Sequence, residues 1–227
     1  KLGNHSVLAI IALIAIGYNL SMNIIEVTWK SELGSVFQTN LKINAFMADF
    51  NIYLAPVTFI TGVVGANIVR KFSWYTSAMI TPIIMLLLGS LFFALIMLQK
   101  FNGDFQTYGI EIARIAIYIG LLQNLLARSS KFCFFNATRE MAYIPLDAEL
   151  KVKGKAAVDV LSGRVGKLGG ATIQQALLFL VPGRTQLAIS PYLSGILLLI
   201  IILWMYSVSV LNKKFIALLK TTKNLNK

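Results

Sequence analysis

Charge is scarce in this 227-residue chain: 13% of residues are Asp, Glu, Lys or Arg, against about 25% in soluble domains. Acidic residues are scarcer still, 9 against 21 Lys and Arg. A single Cys excludes a disulfide framework, and with a single His there is no Cys/His metal cluster. No nucleophile–base pair or other metal-ligand set can be assembled, so the chain does not read as an enzyme and calls for no cofactor. What is abundant is apolar surface, at 57% hydrophobic residues. One soluble core cannot hide that much, and a disordered basic tail would carry far less. The net charge of +12 raises nucleic acid as a partner, but a mean hydropathy of +0.73 argues against it. A basic, apolar chain reads instead as a membrane protein whose Lys and Arg face the cytoplasm, with lipid as its surroundings.

A spanning helix needs about 20 mostly apolar residues. Six segments meet this length, at 5–29, 45–69, 73–98, 107–127, 155–181 and 190–211, so the fold class expected is an all-α membrane protein with six transmembrane helices. The second carries Asp49, Asn51 and Pro56, and the fifth is polar and Gly-rich in its first half. Alternating the loops puts 14 Lys and Arg on one side and only Lys30, Lys42, Lys100 and Arg184 on the other. That bias predicts cytoplasmic termini. Arg114, Arg164 and Lys167 remain inside spans. The stretch 128–154 is too long for a turn and mixes aromatics with both charge signs. It reads as an amphipathic segment at the cytoplasmic interface.

Ionisable residues at membrane depth cost about 2.5–3.5 kcal/mol each and usually face protein or water. In the first span Asn19, Asn23, Glu26 and Lys30 share one helical face. Such a stripe suits a water-filled path, though Glu26 and Lys30 can equally form an i,i+4 pair at a helix end. In the fifth span Lys155, Asp159, Gly163, Gly166, Lys167, Gly170 and Gln174 fall within an arc of roughly 120°, with Arg164 just beyond the Lys167 edge. Two readings compete for that basic, smooth face. Glycines at 166 and 170 suit tight helix packing, whereas packing leaves the cations beside them unexplained and an anion path accounts for them. Gly163 to Gly170 is not a phosphate-cradling loop, because Leu161 and Leu168 stand where a Gly and a Ser or Thr are needed. In the fourth span Glu111 and Arg114 are spaced for an internal pair.

Two stretches carry a resemblance. Asn19 to Lys30 reads N-L-S-M-N-I-I-E-V-T-W-K, and 131–171 contains E-M-A-Y-I-P-L-D, K-V-K-G-K-A-A-V-D-V and G-R-V-G-K-L-G-G. Both resemble the ATP/ADP translocases, nucleotide transporters of obligate intracellular bacteria, plastids and some intracellular parasites. The resemblance implies twelve helices in a major-facilitator-like arrangement, of which this chain is the C-terminal half, its partner being an N-terminal six-helix half. It implies exchange of ATP for ADP, or proton-coupled nucleotide import with Glu26 or Asp159 carrying the proton. The expected location is the inner membrane of an intracellular bacterium, or else a plastid envelope. By motif position Glu26 and Lys167 are the residues that matter for transport in the family. Lys167, Arg164 and Lys155 would then hold phosphate groups. Glu26, with Asn19 and Asn23, would contact sugar or base, or pair with a Lys such as Lys30 when no substrate is bound. Two positions depart from the pattern: Asn136-Ala137 stands where Asp-Pro is common, and Leu168 where Ser is frequent. They leave the preferred nucleotide open. A non-transporting module that binds nucleotides or lipid headgroups is the reading from a different class.

Overall fold

The structure, a computed structural model, describes residues 2–101, 108–147, 150–183 and 185–225. Lys1, Arg184 and Lys227, three of the cations in the charge count, and residue 107 of the fourth span lie outside the described residues. Six long helices form the bundle: α1 (Leu2–Phe37), α2 (Asn40–Lys71), α3 (Trp74–Phe101), α4 (Tyr108–Ser130), α6 (Lys155–Leu180) and α7 (Gln186–Leu225). A short α5 (Asn136–Tyr143) follows α4, and the described residues include no strand. Four helices are long and apolar enough to cross a membrane by length and composition: those spanning His5–Phe37, Asn40–Lys71, Trp74–Gln99 and Gln186–Ile216. If α4 and α6 also cross, their charged residues must face protein or water instead of lipid.

Local chemistry sets the helix ends. Gln38, with φ 52°, turns the chain out of α1 while its N–H reaches back to the Gly34 carbonyl at 3.3 Å. Ser73 caps α3 by accepting the Thr76 N–H at 3.2 Å, and Thr185 accepts the Ala188 N–H at 3.2 Å at the start of α7. Gly183, with φ +97°, permits the tight turn before α7.

The stretch expected to lie along the interface is largely helical. Lys131–Phe135 is a single π-helical turn that joins α4 to α5 with helical backbone on both sides, so Tyr108–Tyr143 is one continuous rod. A second π-helical turn, Leu150–Gly154, leads directly into α6. The stretch is amphipathic, as its composition suggested, but its apolar face is used inside the protein. Phe134, Phe135, Ala142 and Tyr143 are buried, and the segment packs on α1, α2 and α3.

The core surrounds α1, which packs mainly on α6 and α7 and also on α4. Trp29 is fully buried and donates its indole N–H to the Ile117 carbonyl at 2.9 Å, pinning α1 to α4. α6 runs parallel to α1 in fixed register: Gly154 meets Leu8, Gly166 meets Asn19 and Gly170 meets Asn23. A Cβ at Gly166 or Gly170 would overlap those asparagines. Gly166 and Gly170 therefore pack tightly on α1. α2 stands at the edge, with only 6% of its apolar window buried. Its open face exposes Tyr53, Phe59, Ile60 and Val64.

Candidate functional site

The π-helical turn places Lys131 over Tyr18 of α1 and brings Phe132 to the same opening. There a cleft of about 480 Å³ opens between α1, α2, α6 and the α4 rod. Its walls are Tyr18, Asn19, Met22, Asn23 and Glu26 from α1, with Leu54, Arg128, Lys131, Phe132 and Lys167 around them.

Glu26 is the electrostatic hub. One carboxylate oxygen accepts from Lys30 Nζ at 2.7 Å, and the other faces the Arg128 guanidinium at 2.9 Å. Of the two readings of the first-span stripe, the i,i+4 pair is directly visible. The same carboxylate reaches into the cleft. The Arg128 guanidinium lies over the Phe50 ring at 5.4 Å, and Lys131 Nζ lies over the Tyr18 ring at 4.9 Å. Tyr18 is itself buried and donates its hydroxyl to the Ala127 carbonyl at 3.4 Å. Three cations thus share the cleft with one carboxylate. That imbalance favours a polyanionic guest. Two wall atoms hold unmet hydrogen-bonding capacity: Arg128 Nε and Asn23 Oδ1 are buried without partners among the described residues.

Of the residues expected at the site, Asn19, Asn23, Glu26 and Lys167 come together here. Asn19 spends one amide N–H on the Ala15 carbonyl at 2.9 Å. Lys30 is exposed and touches the cleft only through Glu26. Lys155 and Asp159 are not at the site. Lys155 pairs with Glu140 at 2.7 Å and Asp159 with Arg139 at 2.9 Å, tying α6 to α5. Twelve residues of helix set Lys155 about 18 Å from Lys167 along α6. Arg164 is exposed and does not line the cleft. Gln174 is buried and accepts from Gln186 at 2.8 Å, a structural contact. No ion pair joins Glu111 to Arg114 among the described residues; both are exposed.

Arg128 and Lys131, which the charge pattern counts among the cations of the cytoplasmic side, line the cleft wall. Their i,i+3 spacing just beyond the fourth span was the available signal. It is visible only when α4 is extended past Ala127.

A family model described as TLC ATP/ADP transporter matches residues 2–215. The chain is 44% identical over 210 residues to ADP,ATP carrier protein 1 of Chlamydia pneumoniae, covering 92% of this chain and 40% of that protein. It is 41% identical over 216 residues to ADP,ATP carrier protein 1 of Rickettsia bellii, covering 94% and 43%. It is 38% identical over 208 residues to ADP,ATP carrier protein 4 of Rickettsia conorii, covering 91% and 41%. The chain thus spans roughly two fifths of the length of the curated relatives it matches. No solved structure matches it. A match running through both motif stretches and the cleft between them makes this chain a member of the TLC ATP/ADP transporter family.

Proposed function

We propose that this chain is the C-terminal half of a nucleotide carrier that exchanges ATP for ADP across a membrane by alternating access. The observation that carries this reading is the cleft: Lys167 stands on its wall with no acidic partner among the described residues, facing a Glu26–Arg128 pair. A triphosphate entering between them is attracted by Lys167 and Lys131 and competes with Glu26 for Arg128. In a low-dielectric cleft such charge pairs are worth more than at an open surface. With the cleft empty, the Glu26–Arg128 pair ties α1 to α4. Phosphate exchanges that internal tie for contacts to substrate. An empty carrier that keeps the tie does not reorient cheaply, and this links inward and outward movement of nucleotide.

The remaining length of the relatives supplies the second wall, on the side where α2 and α6 expose apolar residues. A major-facilitator-like pair of halves rocking about the cleft fits that layout. Exchange is preferred over proton-coupled import because the relatives are named ADP,ATP carriers. A module that only binds nucleotide lacks support from relatives named as carriers.

The test uses the full-length protein in liposomes. Labelled ATP should enter vesicles preloaded with ADP and not enter empty vesicles, whatever the pH gradient. Uptake driven by a pH gradient into nucleotide-free vesicles would overturn exchange in favour of proton coupling.

A further inference from the structure

The π-helical turn holds three phenylalanines, Phe132, Phe134 and Phe135. Two serve the core, at 6% and 4% exposure for Phe134 and Phe135, while Phe132 is 63% exposed. Its ring does not lie on an open apolar surface. It lines the cationic cleft and also a second compartment of about 420 Å³ bounded by Thr58, Gly62, Ala66 and Arg70 of α2. The two compartments share Phe132: α1, α2, α6 and the α4 rod line the first, and α2 and the α4 rod line the second. The floor of the second compartment is held in place. A Cβ at Gly65 would come within 2.8 Å of the Cys133 Cβ, so α2 rests directly on the π-helical turn. Small residues at Gly62 and Ala66 keep the space in front of the ring open.

We infer that Phe132 is the stacking platform for the nucleobase, and that the compartment at Thr58, Gly62 and Ala66 receives the nucleoside while the phosphates lie on Lys131, Arg128 and Lys167. The inference rests on the nucleotide-carrier reading above and adds to it where the base sits. The arrangement follows the shape of the guest. A nucleotide is an anion at one end and a flat aromatic at the other; the first compartment gathers three cations beside a solvent-facing ring, and the second is mostly small and apolar with Arg70 on its boundary. Stacking on an exposed aromatic accepts any base, because every base has a π-face. The ring area then sets preference, purine over pyrimidine. The Thr58 hydroxyl, 3.2 Å from that of Ser129, is the polar group nearest at hand to meet sugar or base-edge atoms.

The test measures dissociation constants for ATP and CTP by displacement of labelled ATP from the full-length carrier in detergent. Phe132→Ala should raise the ATP constant about tenfold and lower the preference for ATP over CTP relative to the parent protein. Phe132→Tyr should keep both values within about twofold of the parent. An unchanged ATP constant in Phe132→Ala, or equal weakening of ATP and CTP, would overturn the inference. Failure of the parent reading looks different: the unsubstituted protein itself would bind neither nucleotide.

Discussion

Two groups of charges sit on α6, and their surroundings differ. At the base of the helix Lys155 and Asp159 are each matched by an opposite charge on α5, Glu140 and Arg139. Three turns further on, Lys167 lines a cleft beside two more cations and one shared carboxylate. The first group is balanced and exposed enough that its pairs contribute little, since exposed ion pairs are worth about 0–1 kcal/mol. The second is unbalanced, which is the condition for binding an anion. A lysine of the same helix stands at both levels, Lys155 below and Lys167 above. What separates a fastener from a binding site is whether the facing helix supplies the counter-charge.

The glycines of the same helix make the comparison sharper, and they give the largest expected effect. Gly166 lies against the Asn19 backbone, whereas nothing stands within 4 Å of a Cβ at Gly163. Gly166→Leu should cost about 3 kcal/mol or more by overpacking, seen as loss of folded, monodisperse full-length protein. Gly163→Ala should leave the melting temperature unchanged or slightly raised.

Next in size is Glu26→Gln, which removes the counter-charge of both Arg128 and Lys30. Because these groups are partly exposed, the stability loss should be about 1–2 kcal/mol. Exchange should fall at least tenfold while labelled ATP still binds. A variant with full exchange would show that the Glu26–Arg128 tie has no part in transport.

Smaller effects belong to the base of the helix. Arg139→Asp or Asp159→Arg alone should destabilise by about 1 kcal/mol, and the charge-swapped double variant should recover most of that loss. Thermal melts of the three proteins read the coupling directly. Lys155→Ala, at the more exposed pair, should shift stability by less than about 0.5 kcal/mol.

Much of this was legible in the residues themselves. Long apolar runs located α1, α2, α3 and α7, because lipid-facing length leaves its mark on composition. The polar stripe from Asn19 to Glu26 and the cation at Lys167 stood out, because charge inside an apolar run needs a reason. Two things were not legible. Arg128, Lys131, Arg139 and Glu140 read as parts of an amphipathic interfacial segment when their partners are unknown, and a span ending at 127 hides the continuation of α4 that carries them. A helical arc also cannot say which of its edges meets a neighbour. Gly166 and Lys167 are adjacent in sequence but about 100° apart on the arc; one is buried on Asn19 and the other lines the cleft. Only the register of α6 against α1 decides between them.

The central claim is that Lys167 holds substrate phosphate while Lys155 only fastens α6 to α5. Side-by-side uptake of labelled ATP into ADP-loaded liposomes by full-length Lys167→Ala and Lys155→Ala proteins tests it most directly. The account predicts that uptake is lost with Lys167→Ala and stays within about twofold of the parent with Lys155→Ala. Undiminished uptake by folded Lys167→Ala protein would contradict it.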